Sequence, residues 1–321
     1  MTEPVALPSA EVDVVIIGGG PAGLSAALNL GRARASVIVI DAGRPRNAAT
    51  LRSHGFLTRD GVPPLELRKL ARAELAAYPD VRVLERTVAT ALIRTADAAT
   101  GLRFIVALQG RSPGTPPAVA ARAVIVATGL RETLPEIPSL RAYYGMSLFS
   151  CAACDAWELQ DRPLALIGET PDLAARARLI ARWTDRLTVF TNGADVVDTV
   201  EEAELAASGI LVERRGIDDL EGDRGTVRAV RLADGTTIPI DGGFVRPRWH
   251  PALDFLSTVD ADRDGEGHLV VDGSGRTSVE GLYAAGDAAA PGPQQLIVAA
   301  GQGARAAAVL VHDSVGVQTA H

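Results

Sequence analysis

Short β-branched runs, each stopped by glycine or by an acid, punctuate this chain. Val12-Asp13-Val14-Val15-Ile16-Ile17 ends in glycines, and Ser36-Val37-Ile38-Val39-Ile40 ends at Asp41. Between them Leu24 to Leu30 has helical character. Strand, glycine turn, helix and strand predict a βαβ unit in a parallel sheet with a right-handed crossover. Ala123-Val124-Ile125-Val126-Ala127 predicts another buried strand, stopped by Thr128-Gly129. The pattern restarts at Leu164-Ala165-Leu166-Ile167-Gly168, with a helix from about Leu173 to Trp183 and a closing strand at Leu187 to Phe190. Two such starts predict an α/β fold class with two related, Rossmann-like, nucleotide-binding-type domains. No shorter repeat is visible, which argues against a solenoid. Pro113 to Pro117 predicts a hairpin or loop. Gly281 to Asp287 predicts a strand ending in a turn, and a small-residue helix follows Gln295 to about His312.

Composition narrows the function classes. A chain of 321 residues, 47% hydrophobic and 22% charged, is globular and of about two domains. Its net charge of −7 excludes the general phosphate attraction on which nucleic-acid binding relies. Val14 to Gly31 carries no charge, yet it contains Gly18, Gly19, Gly20, Pro21, Gly23 and Asn29, which would put irregular backbone into lipid, so no membrane span is expected. Met1 to Glu11 carries acids and prolines and lacks the pattern of a signal peptide. Two cysteines cannot staple a secreted fold, and a cytoplasmic location is expected.

Two motifs carry chemistry. In Gly18-x-Gly20-x-x-Gly23 the first glycine permits the tight turn, the second lets backbone approach a pyrophosphate, and the third lets helix and strand pack closely. The helix N-terminus offers free N–H groups to phosphate, and Asp41 stands where a carboxylate accepts from ribose hydroxyls. The second motif is Cys151-Ala152-Ala153-Cys154, followed by Asp155. Such a pair can form a small reversible disulfide and depress one thiol's pKa. A zinc site would need further ligands at close spacing, and the chain offers none, so no metal is expected. A purely structural disulfide and a pair of inert thiols are the other readings of this pair.

With Gly286-Asp287, Pro293-Gln294-Gln295-Leu296 and the helix around Ala299 to Gly303 added, the chain resembles the low-molecular-weight thioredoxin reductase-type flavoproteins along nearly its whole length. The resemblance implies FAD held by Gly18, Gly20, Pro21, Ala22 and Gly23, by Asp41 and Ala42, and by Asn47, His54 and Val88. Thr128, Gly129, Gly286, Asp287, Gln295 and Leu296 complete the implied set. It implies an FAD domain at residues 1–130 and 247–321, with a central NAD(P)-type domain at 131–246 inserted and carrying the cysteine pair, each domain a three-layer Rossmann-like unit. A homodimer is implied as well. Cys151 would face the substrate and Cys154 the flavin, with Asp155 as acid/base. His54 and His250 are lesser acid/base candidates.

One departure stands out. Where the family has a Gly-x-Gly-x-x-Ala motif for NADPH, this chain has Gly168-Glu169-Thr170-Pro171-Asp172-Leu173. Where the family has a cationic segment for the 2′-phosphate, it has Thr191-Asn192-Gly193. Without a pyridine nucleotide site, the chain resembles the FAD-dependent dithiol oxidases of the gliotoxin and holomycin type. Ser53-His54-Gly55-Phe56 and Phe244-Val245-Arg246-Pro247 also look closer to that subgroup. The expected reaction closes an intramolecular disulfide in a small-molecule dithiol, with dioxygen as acceptor and hydrogen peroxide as product. The alternatives are a thioredoxin-disulfide reductase driven by NADPH or by another donor such as ferredoxin, and a non-enzymatic flavin-dependent sensor.

Overall fold

A computed structural model describes residues 8, 10–97, 99–111, 114–289 and 293–317. Most of the N-terminal segment expected to lack a signal, and Pro113 of the expected hairpin, lie outside these residues. The chain begins β1 (Glu11–Ile17), α1 (Pro21–Arg32), β2 (Val37–Asp41), α2 (Pro64–Leu75) and β3 (Val81–Glu85). Then come β4 (Thr87–Asp97), β5 (Leu102–Gly110), β6 (Ala118–Val126) and β7 (Leu130–Thr133). The middle of the chain forms α3 (Leu140–Tyr143), β8 (Leu148–Phe149), α4 (Ala152–Asp155), β9 (Leu164–Gly168), α5 (Leu173–Ile180) and β10 (Leu187–Phe190). It continues with α6 (Thr199–Ala207), β11 (Leu211–Glu213), β12 (Ile217–Asp223), β13 (Thr226–Leu232), β14 (Thr237–Pro239), β15 (Gly243–Arg246) and β16 (Arg248–Pro251). β17 (Leu282–Ala284) and α7 (Leu296–Ser314) complete the described elements.

The first sheet runs β3-β2-β1-β6-β5-β4, with β17 beside the C-terminal half of β6. β1 is parallel to β2 and β6, as the crossover through α1 requires. Alternate residues of β1 face opposite sides: Val14 and Ile16 pack with α1 and α7, and Val15 and Ile17 pack with Leu92, Phe104 and Val106 of the β4–β5 hairpin. Burial on both faces explains why this strand reads as an almost continuous apolar run.

A second sheet, β11-β10-β9-β15-β8, repeats the arrangement. α5 covers one face through Leu173, Ala174 and Ala177, and β12 to β14 cover the other through Leu220, Val230 and Leu232. α5 stops three residues before Trp183, where Arg182 N–H bonds Leu179 in a tighter turn. β7 and β16 form a two-stranded ribbon at both passages between the sheets, with Trp249 paired to Glu132. No helix among the described residues is long and apolar enough to cross a membrane.

Candidate active site

The end of β1 opens a cavity of about 340 Å³. Gly18 turns with φ +124°, and a Cβ there would lie 2.1 Å from the Ala127 carbonyl oxygen, so only glycine lets β1 and β6 end side by side. A Cβ on Gly23 would lie 1.9 Å from the Gly18 carbonyl oxygen, which is the close helix–strand packing the motif implied. Nothing lies within 4 Å of a Cβ built on Gly20, so this glycine leaves open space. α1 starts there with no side-chain cap and no acid in its first turn, so its first N–H groups face the cavity unopposed. This cradle fits the pyrophosphate of a dinucleotide.

Gly18, Gly20, Pro21, Ala22, Asp41, Ala42, Asn47 and Val88 all line this cavity, as do Thr128, Gly129, Gly286, Asp287, Gln295 and Leu296. Gly23 sits behind the wall. Asp41 is buried and its carboxylate is already engaged: Gly43 N–H donates to Oδ1 at 2.8 Å, and Arg68 and Arg72 donate to Oδ2. A ribose hydroxyl would share it with these donors. Asp287 accepts from Arg46 Nη2 at 2.8 Å. Arg46 and Arg68 line the cavity and belong to no motif; their signal is only a dense run of arginines after Asp41.

Cys151 and Cys154 are joined as a disulfide across the first turn of α4, with Cα atoms 5.3 Å apart. They line a second cavity of about 90 Å³. Arg46, Asn47, Gln294 and Leu296 line both cavities, so the disulfide stands at one end of the cofactor space. Asp155 lines the smaller cavity and is 9% exposed. Burial pushes its carboxyl up to about 7, against a lowering by His54 and with a further push from Glu158. A carboxyl titrating there can both accept and return a thiol proton near neutral pH.

The two histidines fall in different places. His54 lines the disulfide cavity and not the larger one, with Nε2 3.6 Å from Glu158 and Nδ1 3.7 Å from Asp60. The loop after β2 carries it past the cofactor space to the cysteines. His250 is exposed on β16 and lines neither cavity, because the alternation of that ribbon turns Trp249 inward and His250 out. Among the described residues no group of three His, Cys, Asp or Glu side chains could hold a metal ion.

The N-terminus of α5 differs from that of α1. Asp172 occupies it, and its carboxylate is bound by Thr170 Oγ1 at 2.7 Å, Arg176 Nε at 3.0 Å and Arg246 Nη2 at 2.8 Å. Burial raises its pKa, but the bonds from Arg246, Thr170 and Arg176 outweigh this and hold it at about 2. Leu173 is fully buried against Gly168, filling the place where a close helix–strand approach would leave room. Asn192 is tied on both sides, donating to Glu169 Oε1 at 2.7 Å and accepting from Ile217 N–H at 2.8 Å.

Comparison with known proteins matches this arrangement to one family. The model of the pyridine nucleotide-disulphide oxidoreductases matches residues 12–303. A protein of Arthroderma benhamiae named "Probable thioredoxin reductase" is 31% identical over 188 residues, 59% of this chain and 45% of that protein. Thioredoxin reductase tcpT of Claviceps purpurea is 29% identical over 285 residues, 86% of each chain. The crystal structure of HlmI superposes with a TM-score of 0.87 at 34% identity, covering 95% of this chain and 93% of that one. The chain belongs to the pyridine nucleotide-disulphide oxidoreductase family, among its thioredoxin reductase-like, FAD-dependent flavoproteins.

Proposed function

We propose that this flavoprotein is a dithiol oxidase that closes an intramolecular disulfide in a small-molecule dithiol, without a pyridine nucleotide. The observation that carries the reading is the α5 N-terminus, where Asp172 and its three partners stand in the place of a pyrophosphate and Leu173 fills the space beside Gly168. A second anion brought to this helix end would meet a carboxylate whose cations are already committed. The intact Cys151–Cys154 pair, in a cavity that shares a wall with the cofactor space, argues against a sensor with no turnover.

The chain's own groups account for the thiol chemistry. A substrate thiol passes its proton to Asp155, and the thiolate attacks Sγ of Cys151, releasing Cys154 as a thiolate. The second substrate sulfur then displaces Cys151 and closes the ring, so two electrons have moved from substrate to the cysteine pair. Bound FAD supplies the two-electron acceptor that passes these electrons on to dioxygen, with hydrogen peroxide as the product. Gln294, Leu296 and Asn47, shared between the cavities, hold the two redox groups in adjoining spaces. We also propose that the protein works as a cytoplasmic homodimer, from the resemblance to its family. The test is oxygen uptake by purified protein with dithiothreitol and no nicotinamide. Uptake with formation of the cyclic disulfide supports the reading. No uptake, with NADPH consumed as oxidised thioredoxin is reduced, would favour the reductase reading instead, to which the names of the fungal relatives point.

A further inference from the structure

A second buried carboxyl lies on the cavity beside the disulfide. Oxidising a dithiol to a disulfide releases two protons with two electrons, and Asp155 can hold only one proton. Glu132, on β7, lines the same cavity as Cys151 and Cys154, with its side chain 13% exposed. Its Oε2 accepts from the Tyr144 hydroxyl at 2.9 Å, while its Oε1 meets Arg46 Nη1 only at 3.6 Å. Arg46 is itself held elsewhere: Asp287 takes its Nη2, and the Trp249 ring lies under the guanidinium, 4.7 Å from the centroid. One oxygen of Glu132 is therefore fixed by a hydrogen bond, and the other faces the Arg46 guanidinium at the longer distance of an ion pair.

Building on the dithiol-oxidase reading, we propose that Glu132 is the second proton acceptor of the reaction, taking the proton of the ring-closing thiol. The first substrate thiol gives its proton to Asp155 as its sulfur bonds to Cys151 and the enzyme disulfide breaks. The second thiol gives its proton to Glu132 as its sulfur bonds to the first substrate sulfur and the bond to Cys151 breaks. The products are a cyclic disulfide, two reduced cysteines, and one proton on each carboxyl. Burial suits Glu132 to this part by pushing its carboxyl above the ordinary range, against lowering by Tyr144, Arg46 and Arg141. Arg52, His54 and Asp155 are the other ionisable side chains that line this cavity.

The test follows enzyme mass after anaerobic mixing with dithiothreitol and an acid quench, across a range of pH. In wild type the adduct of one dithiothreitol on the protein is transient. In Glu132→Gln it accumulates, because ring closure slows by about 100-fold while adduct formation does not. In wild type the ring-closure rate falls on the acid side as Glu132 is protonated. In Glu132→Gln this fall gives way to one set by the thiol's own ionisation, at ~8.5 or above, and Glu132→Asp restores the wild-type form. Tyr144→Phe removes a donor that favours the carboxylate, so it moves that fall to higher pH. This variant and Glu132→Asp carry the test if Glu132→Gln does not fold. Ring closure by Glu132→Gln at the wild-type rate and pH profile overturns the proposal. So does equal slowing of both steps with the acid-side fall retained, which is what a purely structural tie would give. A wild-type protein that dithiothreitol never modifies overturns the dithiol-oxidase reading itself, and the role of Glu132 with it.

Discussion

Replacing Asp155 with asparagine removes the group whose chemistry is most perturbed by its surroundings. The carboxyl is 9% exposed and held at about 7 against an ordinary 3.8, chiefly by burial. That gap, about three pH units, corresponds to ~4 kcal/mol favouring the neutral form in the folded protein. Because the folded state binds this proton more tightly than the unfolded chain, ionisation destabilises the fold. The cost is absent below the unfolded pKa, grows as pH rises, and is complete above the folded one. An asparagine of the same shape never ionises, so its advantage over wild type should be ~1–2 kcal/mol near about pH 5 and ~4 kcal/mol near about pH 8. Urea unfolding of the two proteins at both pH values, with the same added FAD, measures the difference. The variant should also lose dithiol turnover by about 10²-fold or more, since an amide cannot take a thiol proton. A stability gap of the same size at both pH values would refute the reasoning, because Asp155 would then ionise like an exposed carboxylate.

Gly23→Ala should lose FAD on gel filtration and fall in stability by ~1–3 kcal/mol, because its Cβ would meet the Gly18 carbonyl oxygen at 1.9 Å. Gly20→Ala should keep its fold, since its Cβ meets nothing within 4 Å, so FAD lost from this variant reports a clash with the cofactor alone. Full FAD retention by Gly23→Ala would contradict the cradle. Cys151→Ser should show a long-wavelength charge-transfer absorbance from a free Cys154 thiolate beside the flavin, and Cys154→Ser should lack it. The opposite pattern would reverse the roles of the two cysteines.

Local pattern made one part of this molecule legible and long-range pairing hid the rest. β1, α1, β2 and the glycine turn between them are readable because burial on both sheet faces leaves apolar runs and the turn admits only glycine. β10 and the start of α7 stand where the pattern put them. The β4–β5 hairpin and the β12–β14 sheet are harder to see, since their strands alternate buried and exposed positions and blend with the loops around them. The cysteine pair could be found from spacing, but its neighbours could not. Arg46 reaches Asp287 across 241 residues of sequence, and Glu132 joins the disulfide cavity only because the β7–β16 ribbon folds back there. The altered α5 turn was visible in the sequence as missing glycines. That Asp172 fills the gap and recruits Arg246, 74 residues away, appears only in three dimensions.

The choice between electron donors tests the central claim most directly. Oxidised, FAD-loaded protein is divided under anaerobic conditions, one portion mixed with excess NADPH and the other with excess dithiothreitol, and the flavin band is followed in both. The account predicts bleaching by the dithiol and a band left standing in NADPH, because a phosphate brought to the α5 N-terminus would face the Asp172 carboxylate, whose partners Arg246 and Arg176 it already holds. Rapid bleaching by NADPH, with none by the dithiol, would contradict it.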